Sequence, residues 1–369
     1  MSIRHPLLAA CAAATLIIGG CAEVRTQTEQ VEYLKKPLKP LPDVATYSVT
    51  IDPGTAGSPS MLSIEGKKVV AADGDVQVKM KVGQPEITRA DPGQDVYIEY
   101  AHDKDGKTIY VNGEPLISKR VPVYWIDVQV STVSAFDMAK KDGSILESQT
   151  IPMSSSFVYG KKPDKLLGGA VTLWSGTGWQ TDPVWLAAQW QIQGNVLVRE
   201  RGAQLQSASL RQAAGVIEQN YSQGMRTAQV PVAFFKDEQD DIRLVQGYQE
   251  AVKKDAESVA KGIELWQSVI NDNRTNPDGK PMTTAMQRAC ARLNIASVRY
   301  IQGKWDEAIT LLNQAATDCS AYDEGFFEGM FKGNRSKMSA TIQRLMDMVQ
   351  DRKRREEVNA PVAPAKPAA

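Results

Sequence analysis

The chain has 369 residues, with 43 basic against 43 acidic side chains, two histidines and four cysteines. That length is ample for two domains with real cores. The balanced charge leaves no cationic excess to neutralise phosphates, so nucleic acid is not an expected partner. His5 stands in an N-terminal segment with the make-up of a removable signal, which leaves His102 as the only histidine of the mature chain. That excludes a multi-histidine metal centre, and neither metal nor organic cofactor is expected.

At the N-terminus Arg4 precedes an apolar run from Pro6 to Ile18 that closes in Leu16, Ile17, Ile18, Gly19, Gly20 and Cys21. The run falls short of the ~20 apolar residues a spanning helix needs and has the make-up of a secretory signal. Its last six residues resemble the lipobox of bacterial lipoprotein signal peptides. The resemblance implies that residues 1–20 are a signal peptide, that Gly19 and Gly20 fit the peptidase's narrow groove, and that Cys21 carries the lipid. Removing residues 1–20 takes away Arg4 and no acid, leaving 42 basic and 43 acidic residues. A chain held to a membrane by lipid on Cys21 belongs to the cell envelope and faces the periplasm. Ala22, rather than Asp, after the cysteine implies the outer membrane where lipoproteins are sorted as in Gram-negative bacteria.

Residues 21–44 include Lys35, Lys36, Pro37, Leu38, Lys39 and Pro40, which resist both helix and sheet. They are expected as a lipid-anchored, solvated linker, part of which could lie along the body as an extended arm. Residues 45–180 read as β-rich. Val76, Val78, Met80 and Val82 alternate with polar residues, as do Val96, Ile98 and Tyr100, and again Tyr124, Ile126, Val128 and Val130. Asp73-Gly74, Asp105-Gly106, Asn112-Gly113 and Asp142-Gly143 accept the positive φ angles of tight turns. An antiparallel, sandwich-like β domain is the expectation. Asp103-Lys104-Asp105-Gly106-Lys107 begins like a calcium loop, but Lys107 and Val111 supply no side-chain oxygen where one is needed, so it reads as a hairpin turn with His102 at a solvent-facing strand end.

Trp174, Trp179, Trp185 and Trp190 fall within seventeen residues. Such rings either stack on sugars or pack the β domain onto the next helices. Thr181-Asp182-Pro183 reads as a helix start, and residues 181–357 are expected to be mainly α-helical. Leu210, Ala213, Ala214, Ile217 and Tyr221 keep helical spacing, a short strand covers 228–235, and one long helical register carries Leu244, Tyr248 and Val252 through to Ile270. Residues 358–369, dominated by alanine and proline, are expected to be a disordered tail.

Within the helical part, Ala289 to Ala315 includes Gly303-Lys304-Trp305-Asp306-Glu307-Ala308-Ile309, with Ile295 and Ala296 on the preceding helix and Leu312 and Ala315 beyond. Residues 289–319 resemble one tetratricopeptide repeat, and Ala260 to Ile270 resembles the second helix of an earlier one. Arg292 and Arg299 stand where the family usually has aromatic residues. The resemblance implies antiparallel helices with Ala308 at their crossing, and in that register Cys290 and Cys319 come together as a candidate disulfide. The fold class expected is thus α+β, an antiparallel β domain followed by a helical-repeat domain.

Repeats of this kind grip proteins, and no phosphate loop is present, since Gly176-Thr177-Gly178 runs into Trp179. A non-enzymatic adaptor or assembly factor, binding a protein through its helical repeats, is the expected function. The alternative is a peptidoglycan-binding or glycan-cleaving envelope protein, using the tryptophans with a carboxylate pair such as Asp182 and Glu200. Cys21→Ala should leave an uncleaved precursor that takes up no labelled fatty acid in an envelope-fraction assay, and a variant processed and labelled like the parent would remove the anchor.

Overall fold

The computed structural model describes residues 23–53, 57–160, 179–236, 241–324 and 333–360, with ten strands and six α-helices among them. They divide into two compact units, one of Pro37–Gly224 and one formed by the segments up to Lys36 and from Met225 onward.

The first unit is organised on β8 (Ile117–Lys140), in which every second residue from Ile126 to Met138 is buried. The two-residue period turns one face to a core and the other to water. β9 (Ile145–Tyr159) pairs antiparallel along one edge of β8. The opposite edge is shared by β5 (Glu86–Tyr100) and β4 (Val76–Lys81), both antiparallel to β8. Between them the chain steps out of the ladder at Gly83. Its carbonyl accepts from Thr132 Oγ1 at 2.8 Å and Gln206 Nε2 at 3.2 Å, so the break leaves that group satisfied. β2 (Thr46–Ile51) then pairs parallel to β4 and to β3 (Lys68–Val69), making the sheet mixed.

One layer covers this sheet. Helix α1 (Pro183–Asn220), ~57 Å long at 1.5 Å per residue, starts where Asp182 accepts from the backbone N–H of Val184 and Trp185. It lays Leu186, Val198, Leu205, Leu210, Ala213 and Ile217 on the apolar face. The expected sandwich is therefore replaced by a mixed sheet under a helix, because α1 already buries the face a second sheet would have covered. Val76, Val78 and Met80 are buried as their alternation predicts. Val96, Ile98 and Tyr100 are not: they are 50%, 37% and 41% exposed, on a stretch of the β5–β8 pair that continues past the last β9 pairing at Ile126. Its tip carries the pair β6 (Tyr110–Val111) and β7 (Glu114–Pro115), turned by Asn112 at φ 54° and Gly113 at φ 83°, the hairpin signature read from the sequence. Asp73-Gly74 closes no hairpin, since β2 lies between β3 and β4 in the sheet.

In the second unit, β1 (Glu23–Lys35) pairs with β10 (Gly224–Lys236) in a two-stranded ribbon. Residues expected as linker thus form a strand, the extended-arm alternative, while α1 belongs with the sheet rather than with the helices. The boundary read near residue 180 gives way because helix α1 has its apolar partner upstream of it and β1 has its own far downstream. The helices are α2 (Ile242–Ala251), α3 (Ala256–Ile270), α4 (Ala285–Ile301), α5 (Trp305–Ala321) and α6 (Asn334–Val358), each packed on the next. None of the described helices is long and apolar enough to cross a membrane.

The long register expected from Leu244 to Ile270 breaks in two, because Lys254 takes φ 64° and Asp255 caps α3 by accepting from Ser258 N at 2.8 Å. Around Ala308, Leu312 and Ala315, all fully buried, α5 closes on α4. α2 and α3 meet through glycines instead. A Cβ at Gly262 would lie 2.6 Å from the Gly247 carbonyl oxygen, and one at Gly247 would lie 2.5 Å from Trp266 Nε1.

Two charged groups tie the helices together. Arg243 and Arg274 both bind Asp272, the side chain of which is 3% exposed, at 2.6 and 2.7 Å, and they hold its carboxyl far below the usual carboxylate range. The Arg352 guanidinium stands 4.4 Å from the ring centre of Tyr33, 5.0 Å from that of Tyr300 and 4.9 Å from that of Trp305, joining β1, α4, α5 and α6. Gly247→Ala should lower stability by about 1–3 kcal/mol through overpacking against Trp266. Gly215→Ala on α1, where a Cβ meets nothing within 4 Å, should raise it by about 0.5–1 kcal/mol. Denaturant melts of the two variants beside the parent measure both.

Candidate functional site

The site with the most developed geometry lies within the second unit, where β1, β10, α2, α3 and α4 enclose a cavity of about 1040 Å³. That is at the top of the ~300–1,000 Å³ typical of ligand pockets. Its apolar walls are Val230 and Val232 from β10, Val259, Ile263 and Trp266 from α3, and Val298 from α4, and polar side chains such as Gln30, Thr227 and Gln302 line the rest. Exposed residues, among them Gln30, Ala260, Ile301 and Gln302, also line it and form its opening to the surface.

Burial of β10 at one edge of this cavity is made possible by α4. Asn294 Nδ2 donates to the Ala233 carbonyl at 3.0 Å, and its Oδ1 accepts from the Ala233 N–H at 2.8 Å. Ser297 Oγ donates to the Pro231 carbonyl at 2.6 Å. Residues two apart in a strand direct their backbone groups to the same edge, so α4 satisfies the edge of β10 away from β1. Val230, Pro231, Val232 and Ala233 are accordingly all buried, where alternation alone predicts one buried face.

The charged groups of the lining are Glu29, Glu32 and Glu264 against Lys254 and Arg299. Arg299 is bridged at 2.9 Å by Glu307, which lies outside the cavity, so the site is weighted towards negative charge. Tyr248 donates its hydroxyl proton to Glu29 Oε1, tying α2 to β1. Burial first, and then the Glu29 carboxylate, push the Tyr248 phenol up to about 12.

The residues singled out from the sequence lie elsewhere. Trp179 packs on Trp125 with ring centres 5.2 Å apart, and Trp190 sits 5.2 Å from Tyr159 and 6.5 Å from Phe157. Both are half-buried on the first unit's sheet, and Trp185 at the start of α1 is half-buried as well. Trp174 and Cys21 lie outside the described residues. Asp182 and Glu200 stand eighteen residues apart on one helix, ~27 Å along its axis, where glycoside hydrolysis needs its carboxylates within ~10 Å. That pair is thereby ruled out. His102 is exposed beside the turn at Gly106, in which Asp103 Oδ1 accepts from the N–H of Asp105 and Lys107, so the would-be calcium loop is a hairpin turn.

Cys290 and Cys319 are free thiols buried in one core, and burial pushes both thiols up. Cys319 Sγ stands 3.5 Å from the Arg335 carbonyl and from Ser339 Oγ. Sequence reasoning missed Tyr248, Glu29, Asn294 and Ser297 as a group, since they come together only through β1 and β10. The one signal was Asn294 and Ser297 at helical spacing among apolar residues.

Compared with known proteins, the chain matches no protein-family model and no curated protein. The cavity therefore rests on its own geometry. Because the fold favours the protonated Tyr248 phenol, the stability it confers is complete below pH ~10 and is lost as pH rises through about 12. Tyr248→Phe should lose less stability than the parent across that window in alkaline denaturation. Equal slopes would place the phenol in water.

Proposed function

We propose that this chain is a lipid-anchored, periplasm-facing envelope protein that works as a non-enzymatic adaptor, holding a partner protein by its helical hairpins. The lipobox-like run ending at Cys21 supports the anchor and the compartment. The 289–319 segment supports a repeat-like reading of the hairpins. Helices α4 and α5 are 17 residues each, and the small residues Ala308 and Ala315 are buried between them. α2 and α3 supply the preceding hairpin, and α6 closes the stack on the α5 side.

The observation that carries the adaptor reading is the cavity, because one of its walls already holds an extended chain. Asn294 and Ser297 bind the backbone of β10 without reading its side chains. A face built to satisfy main-chain groups, next to a space with aliphatic and polar walls and an opening to the surface, suits a further stretch of polypeptide. The lining sets aliphatic residues such as Val259, Ile263 and Val298 beside polar ones such as Gln30, Glu32 and Glu264, a mixture that an amphipathic extended peptide matches.

A photo-crosslinking amino acid placed at Ile301, 48% exposed at the opening, tests this in intact cells. The expected product is a discrete protein adduct that is absent when the same group replaces exposed Val133 of β8 and is lost with Ile263→Asp in the cavity wall. No adduct, or one dissolved by a muramidase, would overturn the adaptor reading.

A further inference from the structure

The cavity meets β1 and β10 differently. From β10 it takes Thr227, Val230 and Val232, no two of them successive. From β1 it takes four successive residues, Glu29, Gln30, Val31 and Glu32, and successive residues point to opposite faces. A space touched by all four meets the edge of the strand as well as a face. Among the described residues β1 pairs with β10 alone, whereas the far edge of β10 is taken by Asn294 and Ser297. Across the space from β1 stand Val259 and Ile263 of α3 and Val298 of α4, and Glu264 lies next to Ile263 on the same helix.

We infer that the occupant is an extended segment of the partner that adds to β1 as a third strand, with apolar residues alternating with basic ones. Main-chain pairing along the β1 edge supplies the binding, and alternate side chains supply the choice of sequence, the general logic of strand addition. The apolar residues go to Val259, Ile263 and Val298. The basic ones meet Glu32 and Glu264, since Glu29 is held by Tyr248 and Arg299 by Glu307. Glu29 to Glu32 span ~10 Å at 3.3 Å per residue, so the paired core of the occupant is four to six residues long. The inference rests on the adaptor reading and gives its partner a chemical form.

The probe is a fluorescently labelled, capped Lys-Val-Lys-Val-Lys-Val peptide titrated into the purified full chain and followed by anisotropy. Saturable binding is expected, weakened at least tenfold by combining Glu32→Lys with Glu264→Lys. That same double variant should gain affinity for Glu-Val-Glu-Val-Glu-Val. Two backbone N-methylated peptides, one methylated at odd and one at even positions, separate strand addition from simple burial. One pattern blocks the paired edge and should abolish binding, and the other should leave it intact.

Equal binding of both methylated peptides, or binding indifferent to the charge reversal, would overturn the inference. So would displacement of an apolar dye from the cavity by a dodecyl fatty acid but not by any peptide. If the Ile301 adduct persists in each of these cases, the adaptor reading stands and only strand addition falls. If the adduct is missing as well, both fall.

Discussion

The side-chain amide of Asn294 is the contact on which the second unit depends. A strand buried on both faces must have its edge groups satisfied, and Ala233 finds both of its partners in that one amide. Without it β10 could not lie in the helical core, β1 would have no strand to pair with, and Tyr248 would have no Glu29 to bind. The cavity is the space left beside this arrangement. Because an amide is a donor and an acceptor at once, Asn fits here where Asp or Leu would leave a buried backbone group unpaired.

The other unit solves a simpler problem. A sheet with one apolar face needs one cover, and α1 supplies it with a single stripe running from Leu186 to Ile217. Close approach is allowed where side chains are small: Gly202 lies against Pro85 so tightly that a Cβ would come within 2.4 Å of the ring. Trp125, Trp179 and Trp190 belong to this packing. They lean on one another or on Tyr159 and Phe157 at tilted angles, the arrangement aromatic quadrupoles favour.

In the helical unit the polar and aromatic contacts cross between elements that lie far apart in the chain. Arg352 sits among rings from residues 33, 300 and 305, and Arg355, itself buried, donates to the Lys36 carbonyl at 2.8 Å. The last helix thus holds the first strand from both sides of Lys35. This closure is what makes the segment after residue 22 part of a domain formed mostly more than two hundred residues later.

Local pattern by itself determined the elements. The period of two from Val76 to Val82 and from Ile126 to Val130, the cap at Asp182, the Asn112-Gly113 turn and the small residues at Ala308 and Ala315 each encode a backbone state through their own sterics or hydrogen bonding. These are short-range effects, and a sequence displays them directly. Only the tertiary structure decided which elements share a core. Nothing near Glu23 says that its strand joins β10, and nothing near Pro183 says that its helix covers the strands before it. The same alternation buries Val78 and exposes Val96, because the difference lies in whether a second layer stands opposite. The cavity obeys the same rule. Tyr248, Glu29, Asn294 and Ile263 each look ordinary in sequence, and what they form depends on a pairing between strands some two hundred residues apart, for which the chain carries no local mark.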